Sequence, residues 1–101
     1  MDNRTLFWLA GLFEGEAHFG RGTPSQPRHP RVALVMTDED VIAQVANLFD
    51  HSYTSELPQK NHWSITYKFT LRGTPAAQVM KQIYPIMGKR RQQQIDRALE
   101  N

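Results

Sequence analysis

From His62 to Arg72 the chain alternates without a break. Trp63, Ile65, Tyr67, Phe69 and Leu71 share one parity, and His62, Ser64, Thr66, Lys68, Thr70 and Arg72 share the other. Successive side chains of a strand point to opposite faces, so this run reads as a strand with one buried face and one polar face. A strand of that kind belongs in an antiparallel sheet that is covered on one side only. The rest of the chain must therefore supply partner strands and an apolar cover.

It supplies both. Asn3 or Asp2 can cap a first helix, in which Leu6, Leu9, Leu12 and Phe13 fall at helical spacing. A short strand is expected over Ala17–Arg21. The Gly- and Pro-rich stretch from Gly22 to Pro30 reads as a hairpin loop, and Arg31–Met36 as a second strand. Thr37 is expected to cap a second helix, with Asp38, Glu39 and Asp40 in its first turn, where the helix dipole favours acids. Val41, Ile42, Val45, Leu48 and Phe49 line one face of that helix. His51–Leu57 is a weaker strand, followed by a turn from Pro58 to Asn61 and then the alternating run. Thr74 as cap with Pro75 at the first helical position opens a third helix, with Val79, Met80, Ile83 and Tyr84 inward. Pro85 and Gly88 break the chain. Lys89–Glu100 reads as a final basic helix with Ile95 and Leu99 inward, and Lys89, Arg90 and Arg91 as its solvated start. The expected class is α+β: one domain over residues 1–101, in αββαββα order with a C-terminal basic helix. Its four-stranded antiparallel sheet carries helices on one face. No repeat, low-complexity segment or linker interrupts it.

Composition bounds the chemistry. A chain of 101 residues can bury a real but small core, and its stability can lean on a partner. The absence of cysteine excludes disulfides and thiolate metal sites and fits a reducing, intracellular compartment. No apolar run reaches the roughly 18 residues of a membrane span, and no signal peptide is evident, so no membrane partner is expected. The net charge of +2, with a pI near 9.2, permits a nucleic-acid partner. His18, His29, His51 and His62 show no zinc-site spacing and read as surface or groove residues.

The stretch Leu9-Ala-Gly-Leu-Phe-Glu-Gly-Glu-Ala17 poses a physical problem. The end of a helix carries negative partial charge and prefers cations, yet this one ends in Glu14 and Glu16. These nine residues resemble the signature of the LAGLIDADG homing endonucleases. Leu9, Ala10, Gly11 and Leu12 match outright, and Phe13 is an apolar stand-in. Glu14 and Glu16 occupy the acidic positions with Gly15 between them, and Ala17 departs from the usual final glycine. Val35-Met-Thr-Asp38 with its helix, and Ile83 to Arg91, are similar to further segments of that family, so the likeness spans nearly the whole chain.

The resemblance implies a function. Signature helices of two domains pack side by side, with Leu9, Ala10, Gly11, Leu12 and Phe13 at the interface. Glu16, with Gly15 beside it, would hold a divalent cation, Mg²⁺ or Mn²⁺, at the DNA minor groove. Such a cation wants hard oxygen ligands and would also offset the two acids at the helix end. One signature per chain implies a homodimer on a nearly palindromic site. The polar sheet face would then contact double-stranded DNA through Arg21, Arg28, Arg31, Lys60, His62, Ser64, Thr66, Lys68, Thr70 and Arg72. Lys68, or alternatively Arg72, would be the basic residue at the scissile phosphate. The leading expectation is a metal-dependent endonuclease of a mobile element or phage, cytoplasmic and associated with the nucleoid. A second is a DNA-binding regulator or RNA-splicing helper without cleavage. A third is a dimeric interaction module without nucleic acid, which predicts no salt-sensitive DNA binding.

Overall fold

The computed structural model describes residues 1–22, 29–58, 60 and 64–100. In chain order they form α1 (Asn3–Glu16), β1 (Ala17–Arg21), β2 (Pro30–Met36), α2 (Glu39–Leu48), β3 (Thr54–Glu56), β4 (Thr66–Arg72), α3 (Thr74–Ile83), a 3-10 turn (Tyr84–Ile86) and α4 (Lys89–Leu99). The four strands make one antiparallel sheet in the order β1-β2-β4-β3. This is the α+β arrangement expected from the sequence.

Register explains which face is covered. Ala17 pairs with Leu34 and Leu34 with Phe69, while Phe19 pairs with Val32 and Val32 with Leu71. These two rows lie on one face and are buried. Leu9, Ala10 and Phe13 of α1, Ile42 and Val45 of α2, Val79, Met80 and Ile83 of α3, and Ile95 of α4 pack against them. All four helices therefore cover the same side of the sheet, and the opposite side is left open.

The alternating run keeps its pattern only where a neighbour strand holds it. Phe69 and Leu71 are fully buried and Tyr67 is half-buried, but Ile65 is 42% exposed. The cause is the short edge strand, since the last β3–β4 pair among the described residues is Glu56 with Thr66. Strand β4 therefore starts at Thr66, not at His62. His62 and Trp63 lie outside the described residues, as does the hairpin segment 23–28.

The helix starts show where local chemistry sufficed and where it did not. Asp2 caps α1, its carboxylate accepting the Thr5 N–H at 2.8 Å. Hydrogen bonds from Thr5 hold the Asp2 carboxyl below its ordinary value. A carboxyl depressed in the fold stabilises it above the unfolded carboxyl range, and that contribution is lost as pH falls through the folded value. Asp2→Ala is accordingly expected to lower the melting temperature at neutral pH, and the difference from the parent should shrink in acid; thermal scans across pH test this.

The second helix starts one residue later than expected. Asp38, not Thr37, is its cap, because the first helical bond runs from the Ile42 N–H to the Asp38 carbonyl. The third starts one residue earlier. Gly73, at φ 71°, turns the chain out of β4 and gives its N–H to the Pro30 carbonyl, so Thr74 is already helical. An L side chain rarely adopts that φ, which is why glycine stands there. Leu48, expected inward at the end of α2, is 39% exposed, whereas Ala46 is buried in its stead.

Candidate nucleic-acid interface and carboxylate site

The open face of the sheet is built from the opposite parity. Reading across the strands, Gly20 pairs with Arg31 and Arg31 with Arg72; His18 pairs with Ala33 and Ala33 with Thr70. Val35 pairs with Lys68 and Lys68 with Thr54, and Thr66 lies beside Glu56. Lys68, Thr70 and Arg72 line a shallow concavity of about 390 Å³ with Thr54, Glu56 and the segment from His51. Arg31 and Arg72 stand directly opposite each other. Like charges in that position destabilise a sheet pair, and the Arg31 Nε is buried with no partner among the described residues.

The expected contact residues divide on this geometry. Arg31, Thr66, Lys68, Thr70 and Arg72 share the open face, and Ser64 is exposed just before β4. Lys60 is exposed in the turn between β3 and β4. Arg28 and His62 lie outside the described residues. Arg21 is placed differently from the expectation. It has the parity of Ala17 and Phe19, so it turns to the helix side, where it lines a recess with Gln94 and Arg97 of α4.

The end of α1 separates its two acids. Glu14 is engaged: its Oε1 accepts the Gly88 N–H at 2.5 Å, and its Oε2 lies 3.6 Å from the Arg91 Nε. Glu16 is exposed, and no described residue bonds or pairs with its carboxylate. Arg91 is not the solvated residue that its basic run suggests. It is 7% exposed, donating through Nε to the Glu14 carbonyl at 2.8 Å and through Nη1 to the Ala17 carbonyl at 2.7 Å and the Gln94 Oε1 at 2.8 Å. Its guanidinium also sits 5.8 Å from the centre of the Phe19 ring. The cation missing from the last turn of α1 is thus supplied by α4. No local signal could have revealed this, because the partners are 74 and 77 residues apart.

The same helix presents a bare stripe. Leu9, Ala10 and Phe13, expected at the interface between copies, are buried in the chain's own core. Phe7, Gly11 and Gly15, spaced four residues apart on one side, are exposed, with Trp8 and the half-buried Leu12 alongside. A methyl group added at Gly11 or Gly15 would meet nothing within 4 Å. Neither glycine is required by packing within this chain.

Among the described residues no group of three His, Cys, Asp or Glu side chains converges. What the arrangement offers is an exposed carboxylate at the end of α1, just ahead of β1, and a sheet whose open face carries Arg31, Lys68 and Arg72. Hard oxygen donors of this kind suit a divalent cation whose remaining ligands come from water, phosphate or a second chain.

No protein-family model matches the chain, and no curated protein matches it. Among solved structures it is similar to the homing endonuclease I-CvuI in complex with the I-CreI target in the presence of 2 mM Mg, in which the DNA is not cleaved. The TM-score is 0.66 at 13% identity, over 95% of this chain and 64% of that one. It is also similar to I-CvuI with its own target in the presence of 2 mM Ca, with a TM-score of 0.63 at 12% identity over the same shares. The chain spans about 64% of the length of these neighbours. At such identity the likeness shows the fold, and the fold is that of the LAGLIDADG homing endonucleases.

Proposed function

We propose that two copies of this chain form a divalent-metal-dependent DNA endonuclease that cuts both strands of a nearly palindromic site. The observation that carries this reading is the split between the acids of α1. Glu14 is consumed in holding α4, while Glu16 is exposed and unpaired among the described residues at the base of a helix whose outer stripe is glycine. The nine-residue resemblance around that helix and the fold shared with a DNA-bound endonuclease support it.

In this reading Phe7, Gly11 and Gly15 of each α1 pack against the same stripe of the other copy. The absence of side chains at Gly11 and Gly15 lets the two backbones approach. The two Glu16 carboxylates then converge beneath the paired helices, with the Gly15 carbonyls beside them. Bound there, Mg²⁺ or Mn²⁺ would lower the pKa of a ligated water and offset charge on the phosphate. The chain's own residues do the rest. Glu16 holds the cation, and Arg31 and Arg72 grip backbone phosphates or guanine edges across the sheet. Lys68, in the row between Val35 and Thr54, would meet the scissile phosphate, with Arg72 as the alternative. Such an enzyme would work where the DNA is, at the nucleoid.

A plasmid library carrying randomised sites, incubated with the protein and Mg²⁺ or Mn²⁺, tests the reading. Double-strand breaks at one pseudo-palindromic sequence are expected. Affinity for that sequence should fall steeply with salt, with a slope in log K against log[salt] of about −0.9 for each phosphate contacted. Salt-sensitive binding without breaks would identify a regulator or splicing helper on the same fold. The absence of any salt-sensitive DNA binding would favour a dimeric interaction module without nucleic acid.

A further inference from the structure

We infer that Arg91 is the positioning residue of the carboxylate site: its guanidinium clamps the carbonyls on both sides of Gly15 and Glu16 and so aims the Glu16 carboxylate. The inference rests on the functional reading above.

The argument begins with the helix end. The last four carbonyls of a helix lack intrahelical donors. In α1 these belong to Phe13, Glu14, Gly15 and Glu16. The Ala17 N–H serves the Phe13 carbonyl, and the Arg91 Nε serves that of Glu14. One residue beyond the helix, the Arg91 Nη1 takes the Ala17 carbonyl. The two clamped carbonyls thus bracket Gly15 and Glu16, and the Gly15 carbonyl receives neither bond. A rigid planar fork holds the chain at two points three residues apart, which a flexible ammonium cannot do.

The fork is itself held. The Gln94 Oε1 accepts from the same Nη1, the Phe19 ring lies beside the guanidinium, and the Glu14 carboxylate stands 3.6 Å from Nε. A buried cation also sits where the helix dipole and two acids concentrate negative charge. It neutralises Glu14 and leaves Glu16 as the one acid of the pair facing outward. Groups that orient metal ligands without touching the metal commonly change metal affinity or activity by about 10- to 100-fold when altered.

The test compares the parent with Arg91→Lys, which keeps the charge and loses the fork. Arg97→Lys, on the exposed side of α4, serves as control. Two quantities are read: the hydrogen-exchange rate of the Ala17 amide in metal-free protein, and the affinity of the protein–DNA complex for Mn²⁺ by titration calorimetry. Arg91→Lys is expected to speed Ala17 exchange about 10-fold or more, with the core amides of Leu34 and Phe69 unchanged. It should weaken Mn²⁺ binding by about 10-fold or more and leave DNA affinity within about threefold. Arg97→Lys should match the parent in all three. Unchanged Ala17 exchange overturns the clamp. Faster exchange with parental Mn²⁺ affinity overturns its positioning role and leaves the clamp a fold element only. Should Arg91→Lys fail to fold, Gln94→Ala, which removes only the support of Nη1, is expected to shift both readouts in the same direction by a smaller factor, and no shift in either would overturn the inference. Parental Mn²⁺ binding equal to that of Glu16→Gln would overturn the nuclease reading and the positioning role with it, a result separable from the others because it appears in the parent.

Discussion

Glu16→Gln is expected to lower the single-turnover cleavage rate by about 10³-fold or more while leaving DNA binding intact. The substitution keeps the size of the side chain and removes its charge. Because no described residue pairs with Glu16, the fold loses no internal bond, and the melting temperature should stay within experimental error. Binding to DNA should hold or tighten slightly, since one negative charge per chain leaves the neighbourhood of the phosphates. Glu14→Gln should behave in the opposite way. Its amide oxygen can still accept the Gly88 N–H, but the ion pair with the buried Arg91 is gone, so the expected loss is in stability ahead of any loss in chemistry. Cleavage assays under single-turnover conditions, paired with denaturation curves, separate the two. A Glu16→Gln protein that cuts at the parental rate would remove the proposed metal ligand from the account.

Placing leucine at both Gly11 and Gly15 should separate the two copies. A Cβ at either position would meet nothing within 4 Å and both glycines are exposed, so the first carbon of each leucine brings no clash within the isolated chain. Within the helix, glycine is the less favourable residue by up to about 1 kcal/mol per site, and the substituted chain should be more resistant to denaturant as a monomer. Between copies the effect reverses. Two leucines per helix would hold the backbones apart and weaken dimerisation by about 100-fold or more, about 2.8 kcal/mol. Sedimentation velocity over a concentration series measures this directly. Affinity for the full site should fall with it, while affinity for a half-site should not. If the doubly substituted protein remains as tight a dimer as the parent, α1 is not the shared surface.

Much of this molecule could be read from local pattern. The period-two run around Phe69 and Leu71 announced a sheet covered on one side, and the helical spacing of Leu9 and Phe13, of Ile42 and Val45, and of Val79 and Ile83 announced the cover. Both patterns are properties of neighbouring residues, and neighbouring residues are what a sequence displays. The errors fall where a distant partner decided. Thr66 rather than His62 begins β4 because β3 ends at Glu56, and Gly73 rather than Thr74 caps α3, its N–H bonded to the Pro30 carbonyl.

The candidate site divides along the same line. The order of acids and small residues from Leu9 to Ala17 was visible at once, as was the basic content of the outward parity of β4. Which acid is free was not. Glu14 and Glu16 are alike in charge and two residues apart, and they differ because α4 returns to the end of α1 and spends Gly88 and Arg91 on one of them. Periodicity and local charge thus determined the elements and the kind of site, because both act within a turn or a strand. Only the folded chain settled the use of each side chain, because that depends on contacts between segments that no short-range pattern encodes.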